Sequence, residues 1–215
     1  MKRNEVVVLL HGLGMSSYTM LYYKRAIVSA GYQTINIDYP SRAFNAVELL
    51  DIVSDLIDRE LKDQSSYDKV HFVGHSLGGI LARLLALKYE QDDFGCCIAL
   101  GSPNRGSILA YKMRNNWFMK WYFGVALIDL FPNSDFIASI LLLPKDYYLI
   151  AGTAYKLSPF GFILEKPNDG TVLVREMIPE DLIDSRIFRF NVSHTSMLFS
   201  SVVRDKIITL LSRCD

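Results

Sequence analysis

One decapeptide narrows the architectures open to this chain more than any other stretch: Val70-His71-Phe72-Val73-Gly74-His75-Ser76-Leu77-Gly78-Gly79. An apolar run of strand type breaks at glycines flanking a serine, and Ile80 to Leu87 then continues as an apolar segment long enough for a buried helix. A strand, a sharp bend with a serine at its tip and a helix are therefore predicted in direct succession. Glycine is needed beside the bend because a Cβ at either flank would collide with the adjoining strand or helix. The helix, predicted from Leu77 to about Tyr89, aims its N-terminus at Ser76, where free N–H groups and the positive end of the dipole would face a developing oxyanion. Gly74-His75-Ser76-Leu77-Gly78 alone is a pattern that chance supplies often; the strand before it and the helix after it give it meaning.

The remaining chain reads as strands alternating with helices. Val6 to Leu10 is aliphatic at every position, as expected of a strand buried on both faces of a parallel sheet. His11-Gly12-Leu13-Gly14 interrupts it, Met15-Ser16-Ser17 can cap a helix over about Tyr18 to Ala30, and Gly31 closes that helix. A second strand is predicted at Thr34 to Asp38 and a helix at about Asn45 to Lys62, where Val47, Leu50, Val53, Leu56, Ile57 and Leu61 recur at helical spacing. Gly95 to Leu100, Tyr147 to Ala151 and Arg186 to Asn191 are the later strands, and a last helix spans about Ser196 to Ser212. This order predicts an α/β fold over residues 1–215 as a single domain, with about six mostly parallel strands and helices on both faces. The segment at about 105–145 departs from the alternation and holds both tryptophans, Trp117 and Trp121. It reads as a helical cap whose apolar face lines a pocket, or alternatively as a plain core helix pair.

Composition excludes several classes. Formal net charge is zero, so no global field would gather nucleic acid or acidic membranes. Three cysteines, two of them the vicinal Cys96 and Cys97, make no disulfide framework, and those two fit opposite faces of a strand. Histidines and cysteines lack metal-site spacing, and neither metal nor organic cofactor is expected. Met1 to Glu5 lead almost at once into a strand, with no signal-peptide pattern, which suggests a cytoplasmic protein unless a leader has been removed. No run reaches the ~18 apolar residues of a spanning helix.

Ligands of open parallel sheets gather at the carboxyl ends of the strands. A serine hydroxyl is a poor nucleophile at neutral pH and needs a base. Of four histidines, His71 lies inside a strand, His75 is the variable position of the bend and His11 sits in the first glycine-rich turn, where it orders the backbone. His194, between the sixth strand and the last helix, is the candidate base. A carboxylate must fix its tautomer. Asp146 and Asp184 precede strands, at the wrong edge, which leaves Asp169 and Glu165; Asn168-Asp169-Gly170 makes a tight exposed turn, which favours Asp169. The backbone N–H groups of Leu13 and Leu77 are the candidate oxyanion donors.

Together Val8 to Gly14, Phe72 to Gly79, Leu100 to Ser107 and Asn168 to Val172 resemble small bacterial α/β-hydrolases of the lipase and esterase type, over nearly the whole chain except the cap. The resemblance implies a Ser76–Asp169–His194 triad, in the chain order of that fold. It implies hydrolysis of a carboxylic ester, with a lipid or other acyl ester as substrate; a cap in transient contact with a lipid surface is a further reading of the 105–145 segment itself. Thioesterases, acyltransferases and catalytically silent acyl-binding scaffolds are the alternatives. Arg105 is expected to tie the cap down through a carboxylate.

Overall fold

The computed structural model describes residues 4–62, 67–89 and 93–214. Six strands, β1 (Glu5–Leu10), β2 (Gln33–Ile37), β3 (Lys69–His75), β4 (Phe94–Leu100), β5 (Tyr147–Gly152) and β6 (Ile187–Phe190), form one sheet in the order β2-β1-β3-β4-β5-β6. Every pairing is parallel. Val6 to Leu10 have no solvent exposure, which explains why that strand carries no polar alternation.

Successive strand residues feed two different cores. Val6, Val8, Leu10, Phe72, Cys97 and Leu149 pack on one face with Leu49, Val53 and Ile57 of α2 (Ala46–Lys62) and Leu81 and Leu85 of α3 (Leu77–Tyr89). On the other face Val7, Leu9, Val73, Cys96 and Ile150 meet Tyr23 and Ile27 of α1 (Leu21–Ser29) and Val203 and Ile207 of the C-terminal helix (Ser201–Leu211). Cys96 and Cys97 therefore face opposite ways, as their adjacency in a strand requires.

Helix starts depart from expectation where tertiary partners intervene. The first helix opens as a 3₁₀ turn over Ser17–Met20, and Ser16 makes no capping bond. Instead the Ser17 N–H donates to Asp38 Oδ1 at 2.8 Å, so a carboxylate just after β2 does the work assigned to a local hydroxyl. The α2 start is self-contained: Asn45 Oδ1 accepts from the Glu48 N–H at 2.9 Å while Glu48 Oε2 accepts from the Asn45 N–H at 3.0 Å. The predicted last helix is two pieces, a 3₁₀ turn at Ser196–Phe199 and a helix from Ser201, whose cap is the Ser200 hydroxyl accepting from Val203 N–H at 3.4 Å.

Between β4 and β5 lie three short helices, α4 (Ile108–Lys112), α5 (Trp117–Phe123) and α6 (Asp135–Ser139). A buried cation ties their return to the sheet. Arg83 of α3 donates to the carbonyl of Leu142 at 2.8 Å and to Asn104 Oδ1 at 3.2 Å, and burial lowers its pKa. At the other end Asp129 Oδ2 accepts from the Ala46 N–H at 2.7 Å. Arg105, at the start of this segment, makes the expected carboxylate pair, but only a weak one. Its guanidinium pairs at 2.7 Å with Glu180, in the β5–β6 connection, and both side chains are largely in solvent, where an ion pair contributes about 0–1 kcal/mol.

Candidate active site

The bend after β3 has the backbone its sequence calls for. Ser76 sits at φ 53°, a left-handed conformation that costs an L-residue roughly 1–2 kcal/mol. Two hydrogen bonds hold it, Ser76 N–H to the Leu100 carbonyl at 2.9 Å and Gly79 N–H to the Ser76 carbonyl at 3.0 Å. Crowding explains the glycines: a Cβ on Gly74 would stand 2.2 Å from the Gly78 carbonyl oxygen, and one on Gly78 would stand 2.3 Å from that of His11. The same tight fit seats α3 directly against the end of β1. Leu77 is the first residue of α3, so its N–H has no intrahelical acceptor.

The turn after β1 is built around His11. Its ring is fully buried and stacked on Tyr39, with centroids 4.1 Å apart. Nδ1–H donates to the Gly12 carbonyl at 2.9 Å, and Nε2 accepts from the Tyr39 N–H at 3.4 Å. Burial holds its pKa below the usual value, so the neutral ring orders the turn. Leu13, next in the chain, lies on the wall of a cavity of about 260 Å³ that also contains Ser76 and His194.

Asp169 and His194 meet across 25 positions. His194 Nδ1–H donates to Asp169 Oδ2 at 2.7 Å, and the His194 N–H donates to the Asp169 carbonyl at 2.9 Å. Asp169 Oδ1 accepts from the N–H groups of Thr171 at 2.9 Å and Val172 at 2.7 Å. The Asn-Asp-Gly turn was expected to be exposed, yet Asn168 and Asp169 are completely buried. Burial is tolerable because three donors satisfy the carboxylate, while Asn168 Nδ2 donates to the Glu165 carbonyl at 2.8 Å. The other candidate acid, Glu165, points to the surface and pairs with Arg175 at 2.6 Å. With Nδ1–H committed to Asp169, Nε2 is the nitrogen of His194 left to accept a proton.

His75 escaped the sequence reading. As the variable position of the bend it carried no role, but its ring is fully buried and its Nε2–H donates to the His194 carbonyl at 3.0 Å. Burial, and secondarily the neighbouring His194, push its pKa well below the usual range. The available signal was a polar ring next to the serine inside an otherwise apolar strand end. His71 is also accounted for away from this site: it donates to Glu5 at 3.1 Å and accepts from the Cys96 N–H at 3.2 Å.

Most of the cavity wall is apolar. Leu109, Met113, Met119, Phe123 and Leu127 come from the β4–β5 connection and Phe160 from the segment after β5. Among the described residues no group of His, Cys, Asp and Glu is arranged to hold a metal ion, and no helix is long and apolar enough to cross a membrane.

Comparison with known proteins agrees with this fold. The mature lipase BlEst2 of Bacillus licheniformis superposes with a TM-score of 0.75 over 95% of this chain and 91% of that one, at 21% identity. An esterase of Pyrococcus furiosus gives 0.65 over 98% and 82%, at 15% identity, and a metagenomic carboxyl esterase 0.66 over 100% and 76%, at 16%. These likenesses establish a shared fold. A curated relative, the 2-hydroxy-6-oxo-6-phenylhexa-2,4-dienoate hydrolase of Burkholderia cepacia, is 32% identical over 118 residues, which are 52% of this chain and 41% of that protein. Residues 5–137 match the model of the alpha/beta hydrolase fold family. A six-stranded parallel sheet with the serine bend after β3, and a family match over more than half its length, make this chain a member of the α/β-hydrolase family.

Proposed function

We propose that the protein is a serine hydrolase that cleaves carboxylic esters, with an acyl chain seated in the apolar cavity. Ser76 attacks the ester carbonyl, His194 Nε2 takes its proton and returns it to the leaving alcohol, and Asp169 holds the imidazole tautomer and steadies the imidazolium. The N–H groups of Leu13 and Leu77 receive the oxyanion. Water then releases the acyl group by the same steps in reverse roles. The observation that carries the reading is the buried 2.7 Å bond from His194 to an Asp169 already held by two backbone donors, beside a cavity shared with a strained serine. The lipase and esterase names among the structural neighbours agree with it. The segment 105–145 acts as a cap, since it supplies most of the apolar wall over Ser76.

The decisive experiment is labelling of the folded protein with a fluorophosphonate, together with hydrolysis of p-nitrophenyl esters of graded chain length. Wild type should be labelled at Ser76 and should turn over esters; Ser76→Ala should do neither. Absence of labelling in folded wild type would remove the acyl-serine mechanism. Parallel assays with acyl thioesters and alcohol acceptors separate an esterase from a thioesterase or acyltransferase.

A further inference from the structure

Both tryptophans of the chain stand out in solvent on one short helix. Trp117 is 78% exposed and Trp121 64%, and Phe118 bridges them with ring centroids 6.2 Å from the first and 5.8 Å from the second. The opposite side of α5 carries Met119 and Phe123, which line the cavity. The segment after β5 repeats the arrangement: Phe160 lines the cavity while Leu157, Phe162 and Ile163 are exposed. Apolar surface of this kind on both borders of one cavity calls for a partner that covers it.

Charge identifies the partner. The chain is neutral overall, but residues 94–128 contain no Asp or Glu, nor do residues 147–164. Lys112 and Lys156 are exposed. Arg114 stacks on Tyr111 at 4.1 Å, and neither it nor Lys112 has a carboxylate within ion-pair distance among the described residues. Arg42 adds a cation, donating to the Trp121 carbonyl at 2.8 Å. A second copy docked through the same two segments by two-fold symmetry would bring these cations no carboxylate, since neither segment holds one. An anionic bilayer accepts them, and its interfacial zone suits tryptophan, with an apolar body and a polar N–H.

We propose that α5 and the 157–163 segment form a docking surface for anionic phospholipid bilayers. Given the ester-hydrolase reading of the cavity, docking would place the cavity mouth against the lipid, so that acyl substrates enter from the membrane. The docking surface itself uses no residue of the proposed catalytic set.

The chain is its own reporter, because its only tryptophans are Trp117 and Trp121. Ser76→Ala protein, which cannot consume lipid, is titrated with phosphatidylcholine vesicles with and without phosphatidylglycerol. Expected are a blue shift of tryptophan emission and quenching by brominated acyl chains on the anionic vesicles, loosened by salt. Lys112→Glu with Arg114→Glu should weaken vesicle co-sedimentation by roughly tenfold or more. Trp117→Ser with Phe118→Ser should do the same while hydrolysis of a soluble short-chain ester is unchanged. No emission shift, equal binding to neutral and anionic vesicles, or a blue shift that grows with protein concentration in lipid-free buffer would overturn the proposal. Vesicle binding without ester hydrolysis in wild type would sink the catalytic reading and leave the docking surface standing.

Discussion

His75 and His194 are joined ring to backbone: the His75 Nε2–H donates to the His194 carbonyl at 3.0 Å, and the two ring centroids lie 4.6 Å apart. The residue preceding the serine thereby holds the loop that carries the second histidine, 119 positions away. Its low pKa keeps it neutral and therefore a single donor. His75→Ala would strand a carbonyl and leave a void, at about 2–4 kcal/mol of stability. His75→Gln keeps a donor and should lose less. If the bond positions His194, kcat falls roughly 10- to 100-fold in the alanine variant, with KM near wild type and partial recovery in the glutamine variant. Denaturant unfolding and steady-state kinetics on both proteins decide it; equal kcat in all three would show that the bond is structural only.

Ser76 combines the role of proposed nucleophile with a strained backbone, and two substitutions separate these. Ser76→Ala and Ser76→Gly should both lose ester hydrolysis by at least ~1000-fold. They should differ in stability. At φ 53° alanine keeps the strain and glycine removes it, so the glycine variant should unfold about 1 kcal/mol higher than the alanine variant. Thermal unfolding of the pair measures this directly, and a less stable glycine variant would refute the strain argument.

Asp169→Asn tests the tautomer. Its retained oxygen can still accept from Thr171 and Val172, so the turn should survive with little loss of stability. The new NH₂ would face Nδ1 of His194 as a donor and force the proton to Nε2, which removes the base. A fall in kcat of roughly 10⁴-fold is expected by analogy with other triads. The ¹⁵N shifts of the His194 ring should report the opposite tautomer from wild type.

Acid sensitivity follows from two buried neutral rings. His11 and His75 have folded pKa values below the usual 6.5 of histidine, so near and below that pH the unfolded chain binds protons that the folded chain refuses. Stability is therefore full above about pH 7 and falls as pH drops through 6.5, by up to about 1.4 kcal/mol per pH unit for each ring. Glu176, whose carboxyl pKa is raised by burial, acts in the opposite sense. Denaturation midpoints between pH 7.5 and 5.5 should decline, and a flat profile would contradict the neutral state of both rings.

The architecture was legible because buried parallel strands must be apolar on both faces, and Val6 to Leu10 meet that demand without interruption, while in Val70 to Val73 only His71 departs from it, its ring paired with Glu5 and the Cys96 N–H. The glycines around Ser76 were legible for an equally local reason: a bend this tight leaves no room for Cβ atoms. Asp169 and His194 could be singled out because each follows a strand on the edge where loops converge, but their contact was only an expectation until the fold brought them to 2.7 Å.

What the linear chain decided by itself was the alternation of strand and helix and the identity of the turns, properties set by backbone freedom and by the period of apolar residues. Tertiary packing alone decided which groups pair. Asp38 displaced Ser16 as the acceptor at the first helix, Glu180 took Arg105, the Asn-Asp-Gly turn was buried, and His75 became the support of His194. Each of these is a choice among donors and acceptors far apart in sequence, and it depends on distances that exist only once the sheet has assembled.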